Sequence, residues 1–277
     1  MRPVICRTLR REYRLHPPTA EIGKELAFVA AEPELPGMSL EPVDVPIELR
    51  DGFLVAVVPG FGVFEGSPSH VIGAMHKIVL ADLADGDPGA PFIHGATVVV
   101  DGRRLLLVGH KGCGKSTFSL HLAMAGHEVE GDEHLLVRQT EVIVRPRTLR
   151  VKEGSLRLVA GLPDCVADAP SIFNWDGSRI RAVNPGIGGR PWVIRPGRLD
   201  GVVFLVANHG GRSAGRRIHG NDAFGRLMGE VMLPKTGVAA AAGRLRRVAV
   251  EVPAYQLLLG DLDTAEWHLR HIANQLT

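Results

Sequence analysis

Apolar positions along this chain change period several times. Ile47 and Leu49, then Phe53, Leu54, Val55, Val57 and Val58, flank Asp51–Gly52, a pair that turns one strand back on the next. Across residues 67–83 the apolar positions Val71, Ile72, Met75, Ile78, Val79 and Leu83 recur at helical spacing. The cluster at 86–89 (Gly, Asp, Pro, Gly) breaks that helix and marks a boundary. Residues 96–100 and 103–108 form a second hairpin pattern around Asp101–Gly102, and a helix is expected from Lys115 to Ala125 with Gly126 as its stop. Short strands at 134–138 and 142–145 and a short helix at 155–160 follow. Residues 161–200 are rich in Pro and Gly with little periodicity and read as loops. A buried strand is expected at 201–206, helices at 222–233 and 262–276, and strands at 248–252 and 255–259.

These elements place the chain in the α/β class, with a twisted mixed sheet flanked by helices. Residues 1–89 read as a smaller N-terminal mixed α/β subdomain. Residues 90–277 read as the core, with its C-terminal helix packed back. A chain of 277 residues, 45% hydrophobic and 22% charged, can bury a substantial core without disulfides or structural metals. Its three cysteines, Cys6, Cys113 and Cys165, show no paired or zinc-binding spacing. A net charge of +2 argues against wholesale nucleic-acid or membrane binding, so the basic runs at 7–11 and 244–247 read as solvated faces or helix ends. The N-terminus lacks the apolar run of a signal peptide, and no apolar stretch approaches the roughly 18 residues of a membrane span. A cytoplasmic location is the simplest expectation.

The candidate chemistry starts at residue 109. Gly109, Gly114, Lys115 and Ser116 match G-x-x-x-x-G-K-[ST], the Walker A phosphate loop (P-loop). Glycines let successive N–H groups turn inward around phosphate oxygens, and the helix that follows points its positive end at the same anion. Lys115 would neutralise the β- and γ-phosphates and Ser116 would offer its hydroxyl to magnesium, while His110, Lys111, Gly112, Cys113 and Thr117 complete the nucleotide-binding stretch. The apolar strand before the loop and the helix after it supply the context that the motif needs. Two features are unusual. The loop follows an antiparallel hairpin, and the acidic pair Asp132–Glu133 comes early, sixteen and seventeen positions after Ser116. No carboxylate follows the strand at 202–206, where a late acidic partner would otherwise sit.

With His94–Gly95 just ahead of the hairpin, this arrangement resembles the catalytic core of the HPr kinase/phosphorylase family and of its structural relative phosphoenolpyruvate carboxykinase. The likeness is closest to the HPr-kinase-related proteins and covers roughly residues 90–210, including Arg145-Pro146-Arg147 and Lys152-Glu153-Gly154-Ser155. The Glu-x-Arg-Gly-x-Gly stretch of true HPr kinases is missing, which argues against HPr itself as the substrate. The resemblance implies a P-loop kinase core that uses ATP and Mg²⁺ to phosphorylate a hydroxyl. The acceptor would be a serine or threonine of a peptide or protein, or a small metabolite. Asp132 is the candidate base and Glu133 the carboxylate nearer magnesium, though the two could exchange roles, and the metal set is Ser116, Asp132 and Glu133. His94 would stand near the γ-phosphate. Arg179, Arg181, Arg190, Arg195 and Arg198 suggest a cationic flap, with Lys152 as a further candidate and His134 as a structural group. A non-catalytic ATP-binding regulator and a carboxykinase-like phosphotransferase are the competing readings. Homo-oligomerisation is left open.

Overall fold

Both Asp–Gly pairs turn as their chemistry demands. Asp51 and Asp101 each have φ of 49°, followed by Gly52 at 84° and Gly102 at 77°, the two left-handed residues of a tight hairpin turn. The computed structural model describes residues 2–84, 89–138, 140–173, 178–232 and 237–276. Gly86, Asp87 and Pro88 of the expected break lie outside them.

The first sheet has five strands: β1 (Val4–Arg7), β2 (Arg11–His16), β3 (Glu41–Arg50), β4 (Phe53–Val58) and β5 (Gly62–Gly66), in that order. Helix α1 (Ala20–Leu26) lies between β2 and β3, and α2 (Pro68–Ala84) follows β5. Tyr13, Leu15, Val45, Leu54 and Ala56 of the sheet pack with Val71, Met75, Ile78 and Val79 of α2 in one core cluster. The basic run at 7–11 is the turn of the β1–β2 hairpin and is tied inward. Arg11 Nη1 lies 2.8 Å from Asp82 Oδ1, and the Thr8 hydroxyl donates to Asp82 Oδ2 at 2.5 Å.

Next come β6 (Phe92–Ile93), β7 (Gly95–Val100), β8 (Arg103–Val108), α3 (Lys115–Ala125), β9 (Glu128–Asp132), β10 (Leu135–Arg138), β11 (Glu141–Val144), β12 (Leu149–Lys152), α4 (Glu153–Leu158) and α5 (Leu162–Cys165). They are followed by β13 (Ser171–Phe173), β14 (Arg179–Val183), β15 (Gly197–Arg198), β16 (Gly201–Ala207), β17 (Ala214–Ile218), α6 (Gly220–Gly229), β18 (Val231–Met232), α7 (Val238–Glu251), β19 (Ala254–Leu259) and α8 (Leu262–Asn274). The central six-stranded sheet runs β17-β19-β16-β8-β7-β9. Strands β19, β16 and β8 are parallel, whereas β7 pairs antiparallel with both β8 and β9. Its one face packs on α3 and α8 through Phe118, Leu122, Leu257, Leu269 and Ile272. Leu106, Val108, Val202 and Phe204 on the other face meet α6, α7 and the sheet β15-β11-β10-β6-β18. The fold is mixed α/β with several sheets, and among the described residues no helix is long and apolar enough to cross a membrane.

Three expectations change. Residues 248–251 belong to helix α7, not to a strand: Ala241, Leu245, Val248 and Ala249 are its buried positions, spaced by four, three and one. The 161–200 segment is not all loop, since β12, β14 and β13 form a three-stranded sheet. Helix α6 ends at Gly229, well short of residue 233, which lies outside the described residues.

Candidate functional site

Strand β8 ends at Val108, and the chain turns through Gly109–Gly114 into α3. Close packing requires glycine at both ends of the turn. A Cβ at Gly109 would lie 2.6 Å from the Leu205 carbonyl oxygen, and one at Gly114 would lie 2.8 Å from Leu259 Cδ2. Gly112 and Gly114 have φ of 87° and 101°, a region that L side chains rarely adopt. No side chain caps α3, so its first N–H donors and the positive end of its dipole serve the loop.

Lys115 is buried. Its ammonium donates to the carbonyl oxygen of Gly109 and, at 3.2 Å, to that of His110; Cys113 Sγ is 3.9 Å away. Among the described residues no carboxylate pairs with this lysine. Its charge rests on backbone oxygens that a phosphate can replace. Cys113 is buried and its N–H closes the turn onto His110 O at 3.1 Å, while Lys111 is exposed. His110 Nδ1 lies 2.5 Å from Glu230 Oε1, and the Thr117 and Ser155 hydroxyls are 2.8 Å apart. A cavity of about 720 Å³ opens beside Gly112, Gly114 and Thr117, bounded by His121, Leu259 and Glu266.

Asp132 ends β9 and stands opposite Ala96 of β7. The Ser116 hydroxyl donates to Asp132 Oδ2 at 2.6 Å. Burial raises the pKa of Asp132, opposed by the Ser116 hydrogen bond and by the charges of His94, Arg150 and Lys115. His94 lies between β6 and β7, its N–H donating to Glu230 O at 3.1 Å. Burial lowers its pKa, as do Lys115 and Lys111, against the pull of Asp132, so the ring is held toward the neutral form. The Gly109–Ser116 turn, His94 and Asp132 thus occupy one place.

Glu133 goes elsewhere. At φ of 83° the chain swings out of β9, the Glu133 N–H donates to Gly95 O at 2.7 Å, and the carboxylate pairs with Arg147. The expected flap is pinned down as well. Arg181 donates to Val166 O and Ala167 O at 3.0 and 2.7 Å, Arg195 pairs with Glu128 at 2.7 Å, and Trp192 and Ile194 are buried. Arg190 packs against Gly126, Arg198 lies 3.8 Å from Glu251, Arg179 sits on strand β14, and Lys152 is exposed at the end of β12. What the sequence does not show assembled is a basic group beside Asp132: the buried Arg145 and Arg147 and the half-buried Arg150, with His134 and the half-buried His76. The Arg145-Pro146-Arg147 sequence was its one visible trace.

No family model matches this chain, and no curated protein does. Among solved structures, an HPr(Ser) kinase/phosphatase from Coxiella burnetii aligns over 66% of this chain and 97% of its own, at 12% identity and a TM-score of 0.34. Likeness at that level leaves the chemistry to the side chains themselves.

Proposed function

We propose that the protein is a P-loop kinase that transfers the γ-phosphoryl group of ATP to a hydroxyl. The observation that carries this reading is the contact between the Ser116 hydroxyl and the buried Asp132 carboxylate, at the mouth of a glycine turn that holds a lysine without an acidic partner. In this reading the α-, β- and γ-phosphates lie against the N–H groups of Gly109–Ser116, Lys115 turns from its carbonyls to the β- and γ-oxygens, and the nucleoside takes the cavity bounded by His121, Leu259 and Glu266.

Mg²⁺ suits the donors present. Among the described residues no cluster of three His, Cys, Asp or Glu side chains could cage a metal, but magnesium commonly takes one or two protein oxygens together with phosphates and water. Ser116 and Asp132 would hold it, and the buried Asp132 lacks an ion-paired Lys or Arg among the described residues. Bound there, the cation supplies charge neutralisation between the phosphates.

The acceptor oxygen bonds to the γ-phosphorus as the bond from that phosphorus to the β–γ bridging oxygen breaks. ADP leaves with the electron pair, and the hydroxyl proton passes to Asp132. Neutral His94 can donate a hydrogen bond to the γ-phosphoryl without holding an extra positive charge in the buried site. The test uses labelled ATP with cell extract and with small hydroxylated compounds. Acid-stable label that is absent with Lys115→Ala supports the kinase. Tight nucleotide binding without turnover would favour the regulator, and label wholly lost in acid would rule out a hydroxyl acceptor.

A further inference from the structure

The basic group beside Asp132 is built unlike the other buried arginine of this core. Arg104, on β8, has its donors satisfied: Nε and Nη2 donate to Glu130 Oε2 at 2.9 and 2.7 Å, Nη1 to Gly197 O at 2.6 Å, and Nη2 also to Val142 O at 3.0 Å. That is how a structural guanidinium is stabilised away from water. Arg145, Arg147 and Arg150 depart from it. Arg145 is 3% exposed, and among the described residues its guanidinium hydrogen-bonds to the rings of His76, at 3.2 and 3.3 Å, and His134, at 3.5 Å. Burial and the Arg145 charge push the pKa of both histidines down to about 3, so both rings are neutral and offset none of the guanidinium charge. Arg150 lies over the Phe28 ring at 4.1 Å. Arg147, 5% exposed, pairs with Glu133.

Several donors remain unused. Arg145 Nε, Arg150 Nε and Nη2, and Arg147 Nη2 are buried without a hydrogen bond, while Arg147 Nη1 is taken by Glu133. Among the described residues no carboxylate pairs with Arg145 or Arg150, and burial brings both guanidinium pKa values down to about 10. Three cations thus share one paired carboxylate, with unmade hydrogen bonds that are expensive away from water. The charge of Arg150 also reaches Asp132.

We propose that Arg145, Arg147 and Arg150 form an oxyanion subsite beside Asp132, which takes the carboxylate or phosphate of a small hydroxyl-bearing acceptor. The word acceptor rests on the kinase reading; the anion site does not. Guanidinium forks match the geometry of either oxyanion. Arg145 and Arg147 are too buried for an extended peptide to reach them, so a small oxyanion would have to enter past the half-buried Arg150. Anchored there, the anionic end of the acceptor would set its hydroxyl toward Asp132.

The phosphate loop would itself bind phosphate, so the test uses the full chain carrying Lys115→Ala. Thermal melting is followed against D-glycerate, glycerol 3-phosphate, inorganic phosphate, neutral glycerol and an acidic peptide, all at one ionic strength. The small oxyanions should raise Tm by about 5–10 °C at a hundred times Kd, whereas glycerol should not. Comparing D-glycerate with glycerol 3-phosphate tells carboxylate from phosphate. Adding Arg150→Gln, at the most accessible of the three, should weaken binding at least about tenfold with unchanged circular dichroism, the loss expected for one charged hydrogen bond. Arg147→Gln should act alike. No anion-dependent rise, an equal rise in the arginine variants, or stabilisation by the peptide alone overturns the proposal. Anion binding in a protein that never binds ATP would overturn the kinase reading and leave the subsite standing.

Discussion

On the kinase reading, Asp132→Asn should slow phosphoryl transfer and stabilise the fold at once. Asparagine keeps the size of the side chain and an oxygen that accepts the Ser116 hydroxyl at the position of Oδ2. It loses the charge and the ability to take the acceptor proton. Removing a general base costs about 10²- to 10⁴-fold in turnover. For stability the sign follows from the direction of the pKa shift. Burial raises the folded-state pKa of Asp132 above its ordinary 3.8, so between the unfolded and folded values the native state binds more protons. Stability of the metal-free wild type therefore falls as pH rises through that window and stays lower above it. The variant escapes that loss, a gain on the order of 1–3 kcal/mol at neutral pH for relieving a buried charge while keeping its hydrogen bond. In a chain of this size that is about 2–10 °C in Tm. The assays are ADP release with an acceptor and thermal melting in EDTA from acid to neutral pH. The two melting curves should converge in acid and separate as pH rises. Wild-type turnover in a folded Asp132→Asn protein, or a variant less stable than wild type at neutral pH, would refute the placement of this carboxylate.

Lys115→Ala should abolish nucleotide binding measured by calorimetry while circular dichroism stays unchanged, because among the described residues the ammonium bonds only within its own loop. Gly114→Ala should cost about 1–3 kcal/mol in urea unfolding and weaken ATP binding, since the new methyl group meets Leu259 and the residue sits at φ of 101°. Arg104→Met leaves Glu130 buried without its partner, so urea unfolding should show a loss of about 3–5 kcal/mol.

Elements fixed by neighbours in sequence were the legible ones. Both Asp–Gly hairpins carry their turn chemistry within two residues, and α3 has its bounds written in Lys115 and Gly126. Helix α7 is absent from the sequence expectation altogether, because Val248 and Val250 look like strand residues; its identity lies in the spacing back to Ala241 and Leu245. Strands β1 and β2 escaped notice because Arg7, Arg11 and Arg14 interrupt the apolar pattern, each satisfied by a carboxylate visible only once folded. The site divides the same way. The glycine turn is local. The separation of Asp132 from Glu133 depends on one left-handed residue, and the arginine group on Phe28 and His76, more than a hundred and about seventy residues before Arg145 and its neighbours.

The early position of Asp132 has a geometric cause in β7. This strand pairs on one side with β8, which delivers the glycine turn, and on the other with β9, which ends at Asp132. Strands β8 and β9 are both antiparallel to β7 and so run parallel to each other, with α3 as the crossover between them. Here α3 makes the return in eleven residues, and antiparallel pairing sets Asp132 opposite Ala96, two positions beyond His94. Gly95 makes the close approach feasible, because a Cβ there would stand 2.7 Å from the Leu107 carbonyl oxygen. The start of β7 therefore holds three things at once: His94 before it, the Asp132 carboxylate beside it and, through β8, the Gly109–Gly114 turn. In the kinase reading proposed above, this single strand in fixed register keeps the base and the phosphate-binding turn from drifting apart unless the sheet breaks.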